Sequence, residues 1–447
     1  MQVSFNQSIT DGMFNQQQVN HSELRSNVLF NKLSSLIQEI SNSLKSSSSG
    51  VNKGAGAALS SKQEQVSDSG LVPFTFNLPA GKDPNDVYVR TQGTDPNTGK
   101  ACYLSFDSQG NPTYHDVGDP TTKDPSTYCY KLSDLPKTVN IPELNSGNMY
   151  FSVGKPLEGA NPDRNNPSLP DYKTKWSMLE FTNNGGGIFV DTTAVNSFGS
   201  PSLQMQMDST QGKGPEIGYA GDPAALLEKV HQLIDQYAGS GSEWNELFSS
   251  HDGISRVNAP KFDATFNHYY DNYLEQNFLP YYQTHDLFVT TRAGTLRGHV
   301  SEDGKTFNFY DKSGNLQASL PTTSQGSTRC WLTGAPGDWQ GGSGDTGVQA
   351  DIMRDLSSFL NSGVDPTKAN TSESNPISKE FFENADKSGL MYQASFNGKP
   401  MYDLYERVMH EAGYNGYAYD YDDMLGKDGT QSTSHDNDPS FSVTVNF

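Results

Sequence analysis

The sequence predicts a mostly β fold in its first half and a mixed α/β fold in its second. Three observations carry this. Between Val72 and Gly214, short apolar or alternating runs (VPFTFNL, DVYVRTQG, CYLSF, NMYFSVG, GGIFVDTTAV) are separated by Gly, Pro, Asn and Asp clusters, the pattern of a β-sandwich or barrel. After Gly214 the apolar period lengthens to that of helices. Residues 1–70 carry neither pattern and are rich in Ser, Gln and Asn.

That first stretch reads as a polar tail. Leu29, Leu33, Leu36, Ile40 and Leu44 recur at helical spacing and predict one amphipathic helix over 23–44, ended by SSSSG at Ser46 to Gly50. Either the helix docks on the main body within a solvated tail, or the tail is a leader read by a specialised export machine or its chaperone. The β runs define a domain over 71–214. A second, mixed α/β domain spans 215–425. It opens with Asp222 as a cap, Pro223 in the first turn, and a face of Leu226, Leu227, Val230, Leu233, Ile234 and Tyr237. Further helical patterns lie over Asp263 to Phe278, Gln349 to Leu360 and Met401 to Ala412. Strand runs LFVTT, LRGHV and TFNFYDKSGNLQASL fall between, the last turning at Asp311 to Asn315. Residues 426–447 form a loop and a cleanly alternating strand, FSVTVNF, whose pairing partner and domain the sequence leaves open.

With 447 residues, only 33% hydrophobic, the chain has room for two or three cores and much loop. Its 31 Lys and Arg against 52 Asp and Glu leave a net charge of −21, which argues against nucleic acid or an anionic membrane as partner. A neutral polymer is compatible, and 22 Tyr and 23 Phe supply rings that stack on flat apolar faces. No run approaches a membrane span, and the first thirty residues lack the pattern of a secretory signal peptide, so any export follows another route. Cys102, Cys129 and Cys330 allow at most one disulfide and lack zinc-site spacing.

One carboxylate stands out. If Lys175 to Thr182 is a strand, Trp176, Met178, Glu180 and Thr182 share one face, while Leu179 and Phe181 point to the other. A carboxylate on a partly apolar face has its charged form disfavoured, which suits Glu180 to act as an acid. The Gly185 to Gly187 turn follows, then a strand over Ile188 to Asn196 with Phe189, Asp191, Thr193 and Val195 on one side. Asp420, Asp422 and Asp423 form an acidic patch without calcium-loop spacing, read as solvated or structural. His410-Glu411 is not followed by a second His at metalloprotease spacing. No metal or cofactor is expected.

The segments VYVRTQGTD at Val87 to Asp95, SGNMYFSVG at Ser146 to Gly154, EFTNNGGGIFVDTTAVNSFGSP at Glu180 to Pro201, STRCWL at Ser327 to Leu332, and YAYDYDDMLG with HDNDPSFSVTVNF at the end resemble glycoside hydrolase family 64, in the family's order over about 72–447. The resemblance implies a thaumatin-like β-barrel or sandwich domain packed against a mixed α/β domain. A wide groove between them would bind β-1,3-glucan and cleave it by inversion. It assigns Glu180 as the general acid and makes Thr182, Asn184, Phe189 and Thr193 the substrate contacts, with Phe189 where a Trp is usual. The family's base is an Asp sixteen residues after the acid, and here that position is Asn196. An amide does not take a proton from water near neutral pH, and an inverting base stands roughly 6.5–9.5 Å from the acid. Asp191 and Asp208 are the nearest substitutes. On a regular strand Asp191 faces away from Asn196, a weak replacement. The resemblance also implies a partner thiol for Cys330, absent from RDLSSFLN at Arg354 to Asn361. Two functions follow: an endo-β-1,3-glucanase, or a catalytically impaired glucan-binding protein or exported effector using the same groove.

Overall fold

A computed structural model describes residues 70–119, 122, 124–251, 253–323, 327–335, 339 and 347–447; the helix expected over 23–44 lies outside them. The chain is mostly β, with 35% strand and 27% helix. The alternation of VPFTFN makes a strand, Val72–Asn77, that buries Val72, Phe74 and Phe76 on one side. It pairs antiparallel with Thr138–Ile141 and parallel with the C-terminal strand Ser440–Asn446, Phe74 facing Phe441. That is the partner FSVTVNF lacked in the sequence. Ser202–Ser209 and Gly212–Gly218 continue this five-stranded sheet.

The second sheet runs Gln431–Thr433, Gly187–Thr192, Lys175–Asn184, Leu144–Val153, Val87–Thr94, Ala101–Phe106 and Pro112–Asp116, with Tyr130–Lys131 added beside Val87–Thr94. The two sheets share one apolar cluster, including Phe74, Phe151, Leu179, Phe181, Val190, Met205 and Val443. Each such side chain, once buried, contributes about 1.5–3 kcal/mol. The barrel form of the expectation is corrected: no sheet closes on itself among the described residues. One edge strand, GKGPEIG, is poorly suited to closure, because Pro215 has no amide to offer a further strand.

The second half packs around a larger cluster that buries Trp244, Trp331 and Trp339. Asp222 accepts from the Ala224 amide at 2.9 Å and starts the helix Pro223–Ala238, which packs on Leu404–Ala412. Val348–Asn361 forms as predicted. Leu287–Thr291, Gly294–Val300, Thr306–Tyr310 and Leu316–Pro321 make an antiparallel meander, with Asp311 accepting from the amides of Ser313 and Asn315 at its turn. The pattern over Asp263 to Phe278 does not give one α-helix. It breaks into a 3-10 turn, Ala264–His268, a short α turn, Asp271–Tyr273, and a π-helical turn, Leu274–Phe278. Pro280, just beyond, lacks the amide that would close the regular ladder onto Gln276.

The strand expected over Ile188 to Asn196 also stops short, at Thr192. Tyr417 takes over its backbone bonds. The Tyr417 amide donates to the Thr192 carbonyl at 2.9 Å, and the Ala194 amide donates to the Tyr417 carbonyl at 2.6 Å. This approach requires Gly416, where a Cβ would collide with Thr192 Oγ1. The chain then crosses to the second cluster, which holds Ala194 and Phe198, and Ser197–Gly199 pairs with Ile254–Asn258. Cys102, Cys129 and Cys330 carry no disulfide. Among the described residues, no helix is long and apolar enough to cross a membrane.

Candidate active site

Glu180 lies mid-strand in Lys175–Asn184. Leu179 and Phe181 enter the core, and Met178, Glu180 and Asn184 are half-buried on the opposite face, as the alternation predicts. Trp176 shares that face but is covered: the Arg164 guanidinium lies 4.4 Å above its ring and Tyr150 meets it edge-on. It is therefore not an open platform.

The register decides what Glu180 sees. Asn148 is its direct neighbour on one side and Asp191 on the other. Opposed residues on adjacent antiparallel strands have Cβ atoms about 4.5–5.5 Å apart, so the two carboxyl groups stand side by side. Because the strand ends at Thr192, the argument that set Asp191 on the face opposite Asn196 lapses; Asp191 belongs to the face of Glu180. It is 8% exposed, and its Oδ1 has no hydrogen-bond partner among the described residues. Burial, then the charges of Glu180, Asp428 and Asp423, push its carboxyl well above the usual carboxylate range. A buried acid beside another acid keeps its proton.

The same hairpin, with Thr193 just beyond it, carries the residues expected to contact substrate. Phe189, half-buried, is paired with Thr182, and Asn184 with Gly187. Thr182 Oγ1 accepts from the Ser146 amide at 3.3 Å, Asn184 Oδ1 from the Gly186 amide at 3.2 Å, and Thr193 Oγ1 from the Val195 amide at 3.4 Å. All three therefore shape the loops around Glu180. Gly187 has φ 141°, and a Cβ there would strike the Thr433 carbonyl, so glycine lets the C-terminal segment close over the hairpin.

Asn196 sits beyond the hairpin, where the chain crosses between the two clusters; its carbonyl accepts from the Ala259 amide at 2.9 Å. Asp208 is not brought into this group. It is exposed at a bulge of the other sheet, opposite Ser440. The acidic patch divides as well. Asp420 pairs with Lys261 at 2.7 Å, whereas Asp422 is fully buried rather than solvated. Sequence reasoning missed Asn148, although its position in the alternating NMYFSV run set it on an outward face. It also missed the Asn415 to Tyr417 segment, which no local pattern marks.

Carboxyl groups, an amide and a ring on one outward sheet face are the apparatus of a carbohydrate-active protein. Residues 73–445 match the glycoside hydrolase family 64 model, described as β-1,3-glucanase, and the chain belongs to that family. A glucan endo-1,3-β-glucosidase of Arthrobacter sp. is 26% identical over 323 residues, 68% of this chain and 52% of that protein. One from Cellulosimicrobium cellulans matches to the same extent. The chain thus spans about half the length of these curated relatives. The fold is similar to the crystal structure of a β-1,3-glucanase domain from Clostridium beijerinckii, with TM-score 0.65 and 22% identity over 86% of this chain and 100% of that one. A laminaripentaose-producing β-1,3-glucanase in complex with laminaritetraose gives TM-score 0.64 and 19% identity, covering 84% and 99%.

Proposed function

We propose that this protein binds β-1,3-glucan and hydrolyses its internal linkages by inversion, Glu180 protonating the departing glycosidic oxygen. The observation that carries this is Glu180, on an outward sheet face, set between Asn148 and the buried Asp191. The glucan would lie in a groove between this face of a thaumatin-like β domain and the second domain, against Thr182, Asn184, Phe189 and Thr193. Asp191 is unsuited to activate water. Burial and the neighbouring charges favour its protonated form, and its place directly opposite Glu180 on the adjacent strand leaves little room between the two carboxyl groups for an attacking water. The place of the base falls to Asn196, an amide, so cleavage should be slow.

That amide favours a second reading, in which the protein grips β-1,3-glucan with impaired cleavage, or acts as an exported effector through the same groove. The polar N-terminal tail, read by an export chaperone, would then take it out of the cell.

Incubation with linear β-1,3-glucan, with reducing ends and the anomer of the first product followed, separates these readings. We expect slow release of the inverted anomer, and a rise of roughly 10²-fold to 10⁴-fold in Asn196→Asp. No release by the natural chain and strong release by the variant would establish the binding reading. Neither binding nor release by both would overturn the ligand.

A further inference from the structure

The helix Leu404–Ala412 carries Glu406 and His410 one turn apart, on the same face. Its start is fixed by Asp403, which accepts from the Glu406 amide at 3.1 Å. Asp422 closes on this pair from the following segment. His410 Nε2 lies 3.2 Å from Asp422 Oδ2 and 3.7 Å from Glu406 Oε1, and one donor atom from each of the three falls within 4.8 Å of the others. Glu406 and Asp422 are fully buried, and the His410 side chain keeps 11% exposure, a narrow opening to solvent.

Two observations bear on what this cluster holds. His410 Nδ1 is 3.0 Å from the Tyr414 carbonyl, which only accepts, so Nδ1 carries hydrogen. Nε2 then faces two carboxylates, and its lone pair is tolerable there only with a proton or a metal ion between them. A histidine that donates through one nitrogen to a carbonyl and presents the other is the usual arrangement of a metal ligand. Independently, Asp422 Oδ1 is buried and has no hydrogen-bond partner among the described residues, while Oδ2 is oriented by the amides of Ala418 and Tyr419 at 2.6 and 2.9 Å. The Tyr392 hydroxyl, 2.9 Å from both Glu406 oxygens, orients the other carboxylate.

Two carboxylates, a neutral imidazole and a divalent ion sum to zero; with a proton in place of the ion, one negative charge is left for Lys427, packed over the Tyr392 ring, to offset. Nitrogen and oxygen ligands about 2.0–2.2 Å from zinc in a tetrahedron leave their atoms roughly 3.3 Å apart, close to the 3.2 and 3.7 Å that separate His410 Nε2 from the two carboxylates, whereas calcium takes 6–8 oxygens. We propose that Glu406, His410 and Asp422 form a structural site for one zinc-type divalent cation. It pins the helix to the 415–422 segment, and so steadies the Tyr417 and Asn415 contacts that end the hairpin of Glu180. The inference does not depend on the glucanase reading.

The full chain, stripped with chelator and dialysed, would be titrated with zinc chloride against a chromophoric competitor, with metal content and thermal midpoint measured in parallel. We expect one zinc per chain, a raised midpoint reversed by chelator, and loss of the tight site in His410→Asn. Tyr392→Phe, which alters no ligand and keeps the ring, should weaken zinc roughly 10–100-fold, and serves if His410→Asn fails to fold. No bound zinc with an unmoved midpoint would overturn the proposal, as would affinity unchanged in a folded His410→Asn or in Tyr392→Phe.

Discussion

Asp191 and Asp355 are both buried, and they are held in opposite ways. Asp355, on the helix Val348–Asn361, is 0% exposed, pairs with Arg354 at 2.7 Å and accepts from the Thr290 amide at 3.1 Å. One turn earlier, Asp351 is gripped by Arg292 through two nitrogens, at 2.9 and 3.1 Å. Burial still wins at Asp355 and carries it to about 7, with Arg354 pulling against it. Asp191 has an unpartnered Oδ1 among the described residues and carboxylates for electrostatic company, all of which raise it. A buried acid given a cation and donors ties elements together. A buried acid given like charges contributes little to stability.

The strongest way to break this contrast is Glu180→Gln. An amide does not protonate a leaving oxygen, so reducing-end release should fall roughly 10²-fold to 10⁴-fold, with folding stability changed by less than about 1 kcal/mol. Surviving activity would remove the chemical meaning of the pair. Asp355→Ala should act the other way. It leaves the Arg354 guanidinium without its buried partner and should cost about 3–5 kcal/mol in urea unfolding. A loss below about 1 kcal/mol would mean that the ion pair does not tie the helix to the strand Leu287–Thr291.

Much of this arrangement was legible in the sequence, and the illegible parts share a cause. Period-two alternation was enough to set Glu180 on one face and Leu179 and Phe181 on the other, because side-chain direction in a strand is local. The cap at Asp222 and the turn at Asp311 were legible for the same reason. Which residue stands beside Glu180 is a matter of register between strands, and the end of the second strand is set by Tyr417, more than two hundred residues away. Alternation sets Asp191 on the side of Phe189, as found, but its relation to Asn196 held only for a regular strand, and the strand ends at Thr192. Asp422 read as one of three solvated or structural acids, because nothing local shows that a helix with Glu406 and His410 closes over it. The one local signal is the Glu-x-x-x-His spacing of Glu406 and His410, which sets both on one face of a helix.

The smallest and sharpest test is the pH dependence of Asp191→Asn. An acid whose folded value is raised contributes stability that is fully present below its ordinary value of 3.8 and is lost as pH climbs through the raised one. The natural chain should therefore lose stability as pH rises from about 4 toward 8. Asp355, raised with the same sign, supplies part of that slope in both proteins. An amide at position 191 does not titrate, so the variant should show the shallower curve, with the gap widening toward high pH. Thermal midpoints across that range read it directly. Superimposable curves would mean that Asp191 ionises as an ordinary surface acid does, and its contrast with Asp355 would then lie only in how many partners each has.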